Sequence, residues 1–212
     1  MSKIHIATQI PPHWADMESD LLILTGNGYP DLPRLIWALR QASKVRPDGP
    51  IIAMAGHREC TGWDMVQFSG VFRGLAQLSG RYIVSGYQHE ITSKRLDARI
   101  LACTLWDAAG RTAPGRDVGN PADISMRWKG CAMTLENRQM LRHQDVAWLK
   151  SMLDKKCTQQ RTIVATHYGP DLVLLEQYQP NLWIFGGHNT PPLDVQIDTT
   201  RVLSHPFAEI EL

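Results

Sequence analysis

Several features that would announce a specialised protein are missing from this chain. No apolar run approaches the roughly 18 residues that cross a bilayer, and Met1-Ser2-Lys3-Ile4-His5-Ile6 lacks the apolar core of a secretory signal. Cysteine is scarce: Cys60, Cys103, Cys131 and Cys157 stand too far apart for a zinc knuckle or a redox dithiol. They read as free thiols, which predicts a reducing, cytoplasmic setting. Charge of one sign is missing as well, since 22 Lys and Arg face 21 Asp and Glu for a net charge of +1. Without a global field, neither a nucleic-acid duplex nor an anionic membrane is expected as an obligate partner. Repeats and low-complexity tracts are absent.

What is present is a packable core. The 212 residues are 43% hydrophobic and include seven Trp, which excludes both a disordered chain and a disulfide-stapled miniprotein. No break in composition marks a boundary, so one domain over 1–212 is expected. Nine apolar segments of strand length recur between turn residues: Ile4–Ala7, Leu21–Thr25, Ile51–Ala55, Tyr82–Ser85, Ile100–Leu105, Thr162–Thr166, Leu182–Phe185, Val195–Ile197 and Arg201–Leu203. Asp31 caps a predicted helix with Pro33 in its first turn and Leu32, Leu35, Ile36 and Leu39 on one face. A second helix is predicted over Trp63–Leu78. A third opens at Thr134 and runs to about Lys155, with Leu141, Trp148, Leu149 and Met152 on one stripe. Strands alternating with helices, then strand pairs, predict α/β layers with mixed sheets. Asp107–Cys131, rich in Gly, Pro, Asp and Arg, is the expected long irregular segment.

Polar residues fall just after strand ends, where α/β sheets bind ligands: Gln9, Asn27, His57 with Arg58, His167 and His188. Each singly is a weak signal, because a lone His after a strand is more often a hydrogen-bonded structural residue. Four loops carry them: Thr25-Gly26-Asn27-Gly28, Ala55-Gly56-His57-Arg58-Glu59, Thr166-His167-Tyr168-Gly169-Pro170 and Gly186-Gly187-His188-Asn189-Thr190.

The order and spacing of these loops resemble the calcineurin-like metallophosphoesterases over nearly the whole chain. That family's pattern runs Asp-x-His after the first strand, Gly-Asp after the second and Gly-Asn-His-Glu after the third. A single His and a Gly-His-x-His follow in the second half. Gly26-Asn27, Gly56-His57-Arg58-Glu59, Thr166-His167 and Gly187-His188-Asn189-Thr190 stand at the last four of these. Cys103-Thr104-Leu105-Trp106, Pro180-Asn181-Leu182-Trp183-Ile184 and Thr200-Arg201-Val202-Leu203-Ser204-His205-Pro206 are similar to the small bacterial and phage branch. The resemblance implies a four-layer αββα sandwich of two mixed sheets flanked by helices, and a phosphoesterase active on a small phosphorylated molecule or nucleotide.

The departures from the family shape the expected chemistry. The positions that hold the family's first metal become Gln9, Pro11, Asn27 and Thr190, with no carboxylate or imidazole among them. The second set becomes Asn27, His57, His167 and His188. Two dications about 3.5–4 Å apart need carboxylates to offset their repulsion, so at most one ion is expected. Three imidazoles suit a single divalent Zn, Ni, Mn or Co, and the alternative is no metal at all.

Arg58 replaces the family's phosphate-contacting His, and a guanidinium clamps phosphate oxygens without serving as a general acid. Substrates with good leaving groups are therefore expected. Asn27 is expected to assist or orient water, and Glu59 either to orient Arg58 or a ligating His or to sit solvated at a loop. His13, Asp16, Asp31, His143, His205, Arg111, Arg116 and Arg127 are secondary candidates, with surface, capping or packing roles expected for them. Gly86–Glu90 reads as a hairpin or loop without a mechanism. Two functions follow: a mononuclear phosphohydrolase, or a catalytically inactive protein of the same fold that binds a metal, nucleotide or partner. Histidines that only pack and hydrogen-bond are a third possibility.

Overall fold

The structure, a computed structural model, describes residues 2–106, 126–187 and 190–212. His188, Arg111 and Arg116 therefore lie outside the described residues. In chain order the elements are β1 (Lys3–Ala7), β2 (Leu21–Leu24), α1 (Leu32–Val45), β3 (Ile51–Ala53), α2 (Met65–Gln77), β4 (Ile83–Ser85), β5 (His89–Ser93) and β6 (Ala98–Cys103). Then come β7 (Arg127–Trp128), β8 (Cys131–Ala132), α3 (Leu135–Leu153), β9 (Arg161–Thr166), α4 (Leu172–Tyr178), β10 (Leu182–Phe185), β11 (Leu193–Ile197), β12 (Thr200–Ser204) and β13 (Phe207–Glu211).

All nine expected strands and all three expected helices form. α1 starts where Asp31 accepts the Arg34 N–H, and Asp64 caps α2 in the same way through Val66. Thr134 opens α3 in a reciprocal capping box with Asn137. His89 and Glu90, expected in a hairpin or loop, begin β5, which pairs antiparallel with β6. The short helix α4 and the strand β13 add to what the sequence pattern indicated.

The described strands build two large mixed sheets in the orders β13-β1-β2-β3-β4 and β11-β12-β10-β9-β6-β5. Strands β1 to β4 run parallel, as do β6, β9, β10 and β12, and β13, β11 and β5 are antiparallel edges. Alternation along the strands divides the apolar residues into three clusters. Ile4, Ile6, Ile23 and Ile52 of the first sheet pack with Ile100, Ile163, Ile184 and Leu203 of the second. Leu22, Leu24 and Ile51 pack against Leu35, Leu39, Phe68 and Phe72 of α1 and α2. Leu101, Val164, Trp183 and Val202 pack against Leu149 of α3 and Leu174 and Leu175 of α4. The fold is α/β, with helices on mixed sheets, and among the described residues no helix is long and apolar enough to cross a membrane.

A buried acid fixes the exit of β6. Asp145 of α3 accepts the Leu105 N–H at 2.8 Å and the Gln88 side-chain N–H at 2.9 Å. Leu105 itself has φ +52°, a left-handed conformation that a bulky side chain adopts only when its surroundings demand it. Burial pushes the Asp145 carboxyl up to about 6, against the pull of its hydrogen bonds and Arg142.

Because this pKa is raised in the fold, the stability the group contributes is complete below its unfolded pKa and is lost as pH rises through about 6. Asp145→Asn should therefore flatten the fall in urea midpoint between about pH 4 and 6. An unaltered slope in the variant would remove Asp145 as its source.

Candidate functional site

Loops from both sheets meet around one imidazole. His167 follows β9, is buried, and sits in a slot walled by Gly26, Gly56 and Gly187. A Cβ at Gly56 would lie 2.6 Å from the His167 Cε1, one at Gly187 2.7 Å from the same atom, and one at Gly26 2.9 Å from Nδ1. Only glycine fits at these three positions while the ring stays in place. Nδ1 is 2.6 Å from the Thr25 carbonyl oxygen. A carbonyl only accepts, so Nδ1 carries a proton, and in the neutral ring Nε2 then holds the lone pair. Tyr168 closes one side, its ring edge-on to the imidazole at 4.7 Å between centroids.

Asn27 connects the loop after β2 to the loop after β3. Gly26 and Asn27 have φ +86° and +59°, so the chain turns through two left-handed residues here, a conformation Gly and Asn tolerate best. The Asn27 Oδ1 accepts the Arg58 N–H at 3.0 Å, and its Nδ2 lies 2.8 Å from the His57 Nδ1. A backbone N–H can only donate, which fixes the amide orientation: Nδ2 faces His57 and donates to it.

Glu59 holds this turn in place. Its side chain is fully buried, and its two oxygens accept N–H groups from Asn27, Tyr29 and Gly56, each at 2.9 Å. Burial raises its pKa, opposed by those same hydrogen bonds. Of the roles expected for Glu59, the solvated carboxylate is excluded. Its described bonds go to the backbone of two site loops, and it thereby sets where Asn27 and the His57-Arg58 pair stand. Nothing in the spacing of the sequence marks those partners.

The positions expected in place of the family's first metal set serve as loop packing. Gln9 is exposed and donates its amide to the Gly28 carbonyl, while the Thr190 hydroxyl accepts the Gly187 N–H at 2.8 Å. Pro11 is buried and starts the turn that leads to Trp14. His13 is exposed with its ring 6.0 Å from Phe207, Asp31 caps α1, and Asp16, Arg127 and His143 are exposed. The His205 Nδ1 accepts the Phe207 N–H.

The expected divalent ion can be tested against this donor set. The tautomer of His167 suits ligation, since Nδ1–H on a carbonyl puts the lone pair of the neutral ring on Nε2. The His57 Nδ1 takes the Asn27 amide, and the Asn27 Oδ1, which accepts one backbone N–H, keeps a second lone pair. Two imidazoles on one tetrahedral ion, with metal–nitrogen distances of about 2.0–2.1 Å, put ring centres about 5 Å apart. Those of His57 and His167 are 6.5 Å apart. Among the described residues no group of three His, Cys, Asp or Glu is disposed to hold a metal. As placed, the His57 and His167 rings stand farther apart than one tetrahedral ion would hold them, and His188 of the expected set lies outside the described residues.

Two substitutions separate the slot from the bulk of the fold. Gly56→Ala should lower the melting temperature by several degrees, because its Cβ would stand 2.2 Å from the Asn27 Oδ1. Gly74→Ala, in α2 with nothing within 4 Å of the new Cβ, should raise it, by about 0.5–1 kcal/mol of stability. Glu59→Gln should speed hydrogen exchange at the Asn27, Tyr29 and Gly56 amides while leaving β9 and β10 protected; uniform loosening would contradict a local role.

No family model matches the chain, and no curated protein does. Among solved structures it is similar to the phosphopantetheinyl hydrolase (PptH) of Mycobacterium tuberculosis, with a TM-score of 0.70 and 13% identity over 97% of this chain and 90% of that one. At that identity the likeness is one of fold.

Proposed function

We propose that the chain is a phosphohydrolase acting on a small phosphorylated molecule, and that its layers are the αββα sandwich of the metallophosphoesterases. The three apolar clusters, helix on sheet, sheet on sheet and sheet on helix, support the layering. A structural neighbour titled as a phosphopantetheinyl hydrolase agrees with the reaction class. One observation carries the reading: a buried imidazole with a fixed tautomer, wedged among the loops that also present His57 and Arg58.

The chain's own groups then divide the work. The Arg58 guanidinium, which no described carboxylate pairs with, binds the phosphoryl oxygens. The His167 Nε2 accepts the proton of the attacking water, and the Thr25 carbonyl steadies the imidazolium that forms. Asn27 and Glu59 are positioning residues that hold the Arg58 backbone against the slot. The inactive alternative is a protein of the same fold that binds a metal, nucleotide or partner, with no proton transfer at His167.

Release of nitrophenol from nitrophenyl phosphate and bis(nitrophenyl) phosphate, with and without chelator, tests this. Turnover that resists chelation and falls about 100-fold or more in Arg58→Ala and in His167→Gln is expected. Binding without turnover would establish the inactive alternative instead. Turnover that needs one tightly held Zn, Ni, Mn or Co per chain, lost in His57→Ala, would restore the shared-ion site.

A further inference from the structure

β11 is an outermost strand of the larger sheet and bonds to β12 on one side, so among the described residues the N–H and C=O groups along its other side lack a ladder partner. All five of its residues are exposed. Bare sheet edges are ordinarily protected by charge, by proline or by a covering segment. β11 carries one charge, Asp194, and Arg201 of β12 already holds both of its carboxylate oxygens, at 2.9 and 2.8 Å.

The register with β12 tells which side chains share a face. Val195 stands opposite Val202, a member of the cluster that packs against α3 and α4, and Leu193 and Ile197 follow on the same face at a spacing of two. Each of the three is 38% exposed, so a row of aliphatic side chains continues past the last covered strand. Asp194 and Gln196 take the opposite face.

The strand is complementary to itself. Laid antiparallel against a second copy with a two-fold axis at Val195, Leu193 meets Ile197, Val195 meets its own counterpart and Asp194 meets Gln196. Apolar faces apolar on one side, and on the other a carboxylate faces a carboxamide that can donate to it. No like charges oppose. Pro192, which has no N–H, and Asp198, whose φ is +48°, bound the strand and fall opposite each other in this register, so the ladder ends at the same place in both copies. The other two antiparallel edges of the large sheets lack this match. β13 paired about its centre would set Glu209 against Glu209, and β5 offers a single aliphatic residue, Ile91.

We propose that the chain forms a two-fold dimer by antiparallel pairing of β11 with β11 of a second copy, which joins the two six-stranded sheets into one. The pairing adds about four to six backbone hydrogen bonds and covers the row Leu193-Val195-Ile197 with its counterpart. Because the axis uses the bare β11 edge of each copy, association ends at two. A contact of one strand per copy is small, so a dissociation constant on the order of micromolar is expected.

Sedimentation velocity of the full chain across the micromolar range tests this. A species of twice the monomer mass at the top of the range, dissociating on dilution, is expected. Val195→Lys and Val195→Glu each set like charges face to face at the axis and should bind themselves at least about tenfold more weakly, with unchanged circular dichroism because the position is exposed. Mixed in equal amounts, the two variants should recover a heterodimer, since opposite charges then meet, and Val195→Ile should dimerise as the wild type does. Recovery in the mixture also shows that neither variant has lost its fold. A wild-type chain that stays monomeric, a dimer that survives in both charged variants, a mixture no more associated than either variant alone, or species larger than two would each overturn the proposal.

Discussion

The site depends on van der Waals contact between an imidazole and three backbones. His167 is carried by one sheet, Gly26 and Gly56 by loops of the other, and Gly187 by the neighbouring strand exit, so the ring joins two otherwise separate layers. The short bond from its Nδ1 to the Thr25 carbonyl spans the same gap. Everything else at the site is arranged around loops that this contact brings together. A side chain larger than hydrogen at Gly26 or Gly56 changes the distance between the sheets' exits before it touches chemistry.

Two buried carboxylates do comparable work on either side of that contact. Glu59 gathers backbone N–H groups from the loops after β2 and β3, and Asp145 holds the strained Leu105 at the end of β6. Each replaces water at a place where the chain leaves a strand without a ladder partner. Burial raises the pKa of both, so each is held at an electrostatic cost that its hydrogen bonds offset in part. The pair explains how strand exits with left-handed residues such as Asn27 and Leu105 stay ordered.

Much of the architecture was legible because local and global signals agree. Asp31 and Thr134 are strong caps placed before apolar stripes at helical spacing, and the parallel strands are continuous apolar runs. Gly26-Asn27, Gly56-His57 and Gly187-His188 were readable as pairs in which a glycine precedes a polar residue, and the structure supplies the reason at the three glycines. The unread parts lack such agreement. β5 is exposed on alternate residues and carries His, Glu, Thr and Ser, while α4 spans only seven residues, too few for periodicity to emerge. Glu59 was seen as a residue but not as a clamp, because its partners are backbone groups 30 and 32 positions away, which no side-chain spacing encodes. The orientation of the Asn27 amide is likewise a property of the folded turn.

The first sheet is closed by its last strand. β13 pairs with β1 along its whole length, from Lys3 opposite Glu211 to Ala7 opposite Phe207, across some 200 residues of intervening chain. During synthesis β1 must therefore wait, one edge bare, until nearly all of these residues have emerged, with β2 its only neighbour in the sheet. Such long-range closure makes for slow folding, because the pairing that completes the sheet joins residues some 200 positions apart.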